Sequence, residues 1–297
     1  MQADDVKRIL VVGAGQMGAQ IAMQSALHGY PVTLNDLTMD VLQKGMAGNR
    51  KQLERRVQKA QMTKDQMEEA IGRVRLEADL ERAARDADFV IEAIVERLEP
   101  KKDCFAKLDR FCPPHAILAT NSSTLMNSQI APSTKRPEKC VNMHYFFPPL
   151  VMKLVEVVKG QATTEETLAV TAEVARRSGR EPVILRKELP GFLVNRILRA
   201  LVNEAYYCLE NGVASHADID KAVELGLNHP MGPFRLGDLS GLDIDYNARL
   251  ENYERTKEEK DRPPRELEKR VKRGDLGRKS GRGFYDYSTD PPKPVLE

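Results

Sequence analysis

Apolar residues along this chain fall into short runs, most of them separated by stretches of helical periodicity. "VKRILVVGAGQMGAQIAMQSALHG" (6–29) opens with a β-branched run that ends at Val12, passes through glycines, and becomes a helical pattern that stops near Gly29. "YPVTLNDL" (30–37) then reads as a second buried strand. Two short apolar strands joined by a helix predict a βαβ unit of a parallel sheet. A polar amphipathic region follows at about 38–72, where Thr63 and Gln66 form a capping box that breaks it into a helical hairpin. Strand-like runs recur at 74–79, 88–96, 116–123, 140–146 and 153–160, with helical segments between most of them. A helix is expected at 163–179 and one more strand at 181–188. This alternation predicts a doubly wound, Rossmann-type α/β domain.

The pattern changes after Pro190-Gly191. "FLVNRILRALVNEAYYCLENG" (192–212) is one long amphipathic helix closed by Gly212, Ser215 with Asp218 starts another, and helical patterns dominate to about residue 274. The expected organisation is an α/β domain over 1–188 and a mostly α-helical domain over 189–297. An apolar stripe as long as that of 192–212 suits packing against a second copy, so a homodimer through the second domain is expected.

Composition adds mainly exclusions. With 297 residues, 41% apolar and 30% charged, the chain has material for two packed domains. A net charge of +2 gives no general argument for nucleic acid. Basic residues do cluster at 48–64 and 265–282, either as solvated helix faces or as a surface for an anionic small molecule. The four cysteines, Cys104, Cys112, Cys140 and Cys208, lack CxxC or zinc-like spacing, and no metal site is expected. No secretory signal is read at the N-terminus, and no apolar run approaches the ~18 residues of a membrane span. A cytoplasmic protein with reduced thiols is the expectation.

The glycines of the first unit carry chemistry. Gly13, Gly15 and Gly18 fit G-x-G-x-x-G between a strand and a helix. Gly13 permits the tight turn, Gly15 lets backbone approach a pyrophosphate, and Gly18 lets helix and strand pack closely. Gln16 and Met17, at the helix start, join the expected cofactor set. Asp36 ends the second strand, where a carboxylate accepts ribose hydroxyls and repels a 2′-phosphate, so NAD is favoured over NADP. Further along, "ATNSSTL" places Asn121, Ser122, Ser123 and Thr124 after a strand, where open α/β sheets bind ligands. In "VNMHYFFPPLVMKLVEVV" (141–158), His144 and Glu156 stand in otherwise apolar sequence on either side of Pro148-Pro149. Burial of either is costly without a partner.

At these residues the chain resembles the L-3-hydroxyacyl-CoA dehydrogenases. The resemblance runs in order through "VVGAGQMGAQIA" (11–22), "IEAIVERLEPKKDCF" (91–105), "TNSSTL" (120–125), "MHYFFPPLVMKLVEVV" (143–158), "PGFLVNR" (190–196), "HPMGPFRLGDLSGLD" (229–243) and "GRKSGRGFYDY" (277–287). It implies an NAD-dependent enzyme of fatty-acid or related acyl-CoA metabolism that converts a 3-hydroxyacyl-CoA reversibly to the 3-oxoacyl-CoA. It implies His144 as general base, Glu156 as its orienting acid, and Ser123 and Asn195 on the substrate oxygen. It also implies cofactor contacts at Glu96, Lys101 and Lys279. Relatives hold CoA on the helical hairpin, which makes Lys51 and Arg55, one turn apart, candidate substrate contacts. Two departures stand out: the family's "HFFNP" is "HYFFP" here, so Phe147 replaces an asparagine, and "NTSSL" is "NSSTL". A dehydrogenase of a free 3-hydroxy acid on the same fold, and a non-catalytic nucleotide-binding protein, are the alternatives.

Overall fold

The computed structural model describes residues 1–295. The chain divides into two compact units, Met1–Leu193 and Val194–Glu297. The segment at Pro190–Leu193 belongs with the first: the Leu193 amide donates to Glu156 Oε1 (3.0 Å) and the Phe192 ring lies against His144.

In the first unit the apolar runs become strands because both of their faces are covered. β1 (Ile9–Val12), β4 (Phe89–Glu92), β5 (Ile117–Thr120) and β6 (Cys140–Tyr145) are buried at every position. With β2 (Val32–Asn35), β3 (Val74–Glu77), β7 (Leu154–Val158) and β8 (Glu181–Leu185) they form one sheet among the described residues, ordered β3-β2-β1-β4-β5-β6-β7-β8. Neighbours from β3 through to β6 pair in parallel. β7 runs antiparallel to β6, a reversal that alternation alone does not predict. The segment between them is shorter than the roughly dozen residues a parallel crossover needs, so only a hairpin is open to it. β8 returns to pair in parallel with β7 through a crossover helix.

Helices α1 (Gln16–Leu27), α2 (Met39–Gln58), α3 (Lys64–Gly72), α4 (Leu80–Ala84), α5 (Leu98–Phe111), α6 (Asn127–Ile130) and α7 (Glu165–Arg177) connect the strands. One core holds residues of α1 and α7 with Val11, Leu34, Ile91, Met143, Tyr145 and Val155; another gathers α5 residues with Leu10, Val90 and Leu118. The hairpin α2–α3 breaks at the predicted capping box: Thr63 N donates to Gln66 Oε1 (2.8 Å) and Gln66 N to Thr63 Oγ1 (3.1 Å).

The second unit comprises α8 (Val194–Glu210), α9 (His216–Gly226), α10 (Pro233–Ser240), α11 (Leu242–Thr256) and α12 (Arg265–Arg273). A two-stranded antiparallel pair, β9 (Tyr285–Asp286) with β10 (Lys293–Pro294), completes it; no alternating pattern announces so short a ribbon. Its core packs Tyr206, Phe234, Leu267, Phe284 and Tyr285. Two buried acids organise it. Asp220 accepts from the amides of Phe234 and Arg235 and from the Tyr285 hydroxyl, and Asp238 accepts from the amides of Phe284 and Tyr285. Burial raises both carboxyls above their ordinary range, against the pull of these hydrogen bonds. No helix among the described residues is long and apolar enough to cross a membrane.

Candidate active site

The sheet reverses its strand order between β1 and β4, and open α/β sheets bind ligands beyond the carboxyl ends of the strands at such a switch point. Gly13 leaves β1 with φ +102°, and a Cβ there would meet Ala93 O at 2.5 Å, so the turn and the strand neighbour both demand glycine. A Cβ on Gly18 would overlap Gly13 O, which is the close helix–strand packing the motif predicts. Gly15 differs: nothing stands within 4 Å of its Cβ direction. It is the N-cap of α1 and offers no side-chain cap, so the first amides of the helix face open space beside exposed Gln16 and half-buried Met17. Asp36 Oδ2 accepts from Ala14 N (2.6 Å) and Oδ1 from Leu37 N (2.7 Å), which ties the glycine turn to the end of β2. An uncapped helix start, an open glycine and a fixed carboxylate fit a dinucleotide's pyrophosphate and ribose.

Four strands along, β6 and β7 pair with His144 directly opposite Glu156. Directly opposed residues of a ladder project to one face. Both are buried, 3% and 0% exposed. His144 Nδ1 lies 2.8 Å from Glu156 Oε2, and Nε2 lies 3.1 Å from Ser123 Oγ. A carboxylate only accepts, so Nδ1 carries the hydrogen and Nε2 presents its lone pair on the Ser123 side. Phe146 and Phe192 flank the ring at centroid distances of 4.7 and 5.5 Å. Each polar group thereby gains the partner its burial requires.

The loop that carries Ser123 hangs on Glu96. Glu96 Oε1 accepts from Ser122 Oγ, Ser123 N (3.0 Å), Thr124 N (3.0 Å) and Thr124 Oγ1 (2.9 Å). Burial works against ionisation of Glu96, but these bonds and the nearby Lys101 charge outweigh it and hold its carboxyl below the ordinary range. Lys101 is 1% exposed and lies 2.6 Å from Glu92 Oε1 and 3.3 Å from Glu96 Oε2. Glu92 is fully buried and also accepts from Ile94 N (2.8 Å) and Thr120 Oγ1 (2.7 Å). Glu92 is not among the residues expected from the sequence, although its signal matches that of Glu156: one acid inside an apolar strand.

The first unit therefore brings Ser123, His144, Glu156, Glu96 and Lys101 into one hydrogen-bonded region. Asn195 and Lys279 belong to the second unit. Asn195 is half-buried in the first turn of α8, and Lys279 pairs with Asp243 of α11. On α2, Lys51, Arg55 and Lys59 are exposed and make no ion pair among the described residues, whereas Arg50 grips Glu68 with two bonds. Phe147 is 58% exposed.

These features define a Rossmann-type dinucleotide-binding protein with an imidazole–carboxylate pair on the same sheet. Residues 8–189 match the family model "3-hydroxyacyl-CoA dehydrogenase, NAD binding domain", and residues 191–287 match "3-hydroxyacyl-CoA dehydrogenase, C-terminal domain". The chain belongs to the 3-hydroxyacyl-CoA dehydrogenase family and carries its NAD-binding domain. It is 43% identical to a probable 3-hydroxybutyryl-CoA dehydrogenase of Bacillus subtilis over 95% of this chain and 98% of the relative. It is 37% identical to human mitochondrial hydroxyacyl-coenzyme A dehydrogenase, over 95% of this chain and 91% of that one. The crystal structure of Mycobacterium tuberculosis FadB2 superposes with a TM-score of 0.86 at 39% identity, covering 95% of this chain and 99% of that chain.

Proposed function

We propose that this protein oxidises an L-3-hydroxyacyl-CoA to the 3-oxoacyl-CoA, reversibly and with NAD. The observation that carries the reading is the line Glu156–His144–Ser123, in which Nε2 is the free base and the serine hydroxyl stands next to it. In the oxidation, His144 Nε2 takes the proton of the 3-hydroxyl while the C3–H bond breaks and its electron pair leaves as hydride; the C3–O bond becomes a carbonyl. Bound NAD supplies the hydride acceptor. Glu156 stabilises the imidazolium that forms, and Ser123 fixes the substrate oxygen beside the base. Asn195 is assigned the donor that steadies this oxygen as negative charge develops, and Lys279 a cofactor contact in the second unit. An imidazole suits the base role because its ordinary pKa of ~6.5 lies near neutral pH.

The acyl-CoA class is favoured over a free hydroxy acid by the uncommitted cations of α2, Lys51, Arg55 and Lys59, which offer charge to a phosphorylated nucleotide. We also read the second unit as the surface that pairs two copies, to be checked by light scattering in solution. The test of activity is NADH oxidation with acetoacetyl-CoA, run beside NAD reduction with gulonate and carnitine-type hydroxy acids. His144→Ala is expected to lower kcat by about 10³-fold with NAD affinity by titration unchanged. An undiminished rate in that variant would remove His144 as the base.

A further inference from the structure

Glu92 is as deeply buried as Glu156, yet the reaction just described gives it no task. Its place in the fold suggests one. Glu92 is fixed at the end of β4 by Ile94 N and by Thr120 Oγ1 of β5, so its carboxylate belongs to the rigid sheet. Lys101, one turn into α5, reaches back to it at 2.6 Å and touches Glu96 at 3.3 Å. Glu96 lies in the loop before α5, outside any strand, and its other oxygen accepts from the Ser122 hydroxyl, the Ser123 amide, and the amide and hydroxyl of Thr124. The Ser123 hydroxyl at the far end sits 3.1 Å from His144 Nε2. A chain of charge-assisted contacts thus runs from the core of the sheet to the backbone of Ser123, the residue whose hydroxyl stands beside the base.

The family resemblance implies direct cofactor contact by Lys101. Its ammonium is committed to two carboxylates, and only 1% of the residue is exposed. A buried lysine that keeps its charge does so through such partners. We propose that Lys101, anchored by Glu92, is a positioning residue that acts through Glu96 to hold the Ser123 hydroxyl in register with His144. This rests on the reading of Ser123 and His144 as catalytic.

The test is a double-mutant cycle in the full chain, assayed with acetoacetyl-CoA and NADH. Lys101→Met removes the cation; Glu92→Gln with Lys101→Met removes both charges and leaves no orphaned buried carboxylate. In the Ser123 background both variants are expected to lower kcat about tenfold or more, with the KM for NADH within about twofold. In the Ser123→Ala background the same changes are expected to cost less than about twofold, because the group they position is gone. Equal losses in both backgrounds, or a rise in the KM for NADH alone, would overturn the assignment. Glu92→Gln alone keeps the shape of the site and is expected to give a smaller loss with the same coupling. If none of the three melts cooperatively by circular dichroism, the network is a folding element and the positioning role is refuted. Inactivity of the parent, or full activity of His144→Ala, would instead count against the proposed reaction, which keeps the two failures apart.

Discussion

Phe147 leaves more than half of its surface exposed, three residues from His144 and beside the Phe146 ring that packs on it. A large exposed aromatic gains nothing from solvation, so its surface is available to an apolar ligand group. We expect Phe147→Asn to lower kcat/KM progressively as the acyl chain lengthens, by about tenfold at the long end, with the KM for NADH unchanged. A panel of acyl-CoAs of rising chain length checks this; a uniform loss at every length would disprove an acyl contact. At this scale much of the site is legible in sequence. His144 and Glu156 announce themselves because an acid and an imidazole inside apolar runs require partners. Glu92 obeys the same rule, but it falls within the "IEAIVE" motif, where Glu96 draws attention as the expected cofactor contact. The partners of Lys101 are illegible for another reason: they come from a strand and a loop, and only the packed structure brings these together.

Among the elements, periodicity located the alternation of strands and helices, while the ends of the strands came out shorter than the apolar runs suggest. The 116–123 run illustrates why: β5 stops at Thr120, because Ser122 and the residues after it turn away to satisfy Glu96 rather than a neighbouring strand. Direction was the harder matter. Nothing in the apolar pattern of 153–160 distinguishes parallel from antiparallel pairing; the length of the preceding connection does. Local chemistry, by contrast, was fully readable at the hairpin α2–α3, where Thr63 and Gln66 satisfy each other's backbone amides. Thr63→Ala is expected to cost about 1 kcal/mol of stability, measured by urea denaturation. No change in midpoint would show that α3 is held by its packing alone.

For the whole molecule, acid sensitivity divides between the units. In the first, burial opposes ionisation of Asp88, but bonds from His115 and from the amides of Lys7 and Arg8 prevail and lower its pKa. A lowered carboxyl contributes stability above its unfolded pKa of ~3.9 and loses it as pH falls through the folded value. In the second unit Asp220 and Asp238 are raised by burial. Their folded forms bind a proton more tightly than the unfolded chain, so they favour folding at low pH and withdraw that support as pH rises through their folded values. The two effects therefore fall on opposite sides of about pH 4: support from Asp220 and Asp238 is gained as pH falls towards that value, and support from Asp88 is lost below it. Asp88→Asn is expected to flatten the fall in melting temperature below about pH 4, and Asp238→Asn to remove a gain that accompanies acidification towards it. Parallel curves for parent and variants would refute the division.

The His144–Glu156 pairing has a consequence for how this chemistry is inherited. The imidazole and the carboxylate lie on adjacent strands of one hairpin, joined at 146–153, and the ladder holds them opposite each other. A single insertion within either strand shifts one partner to the opposite face of the sheet and separates the pair. The pair is in this sense carried by a contiguous cassette of fewer than twenty residues, intolerant of insertion along its arms. Recombination that moves residues 141–158 as a block carries the imidazole and its carboxylate together, already in register.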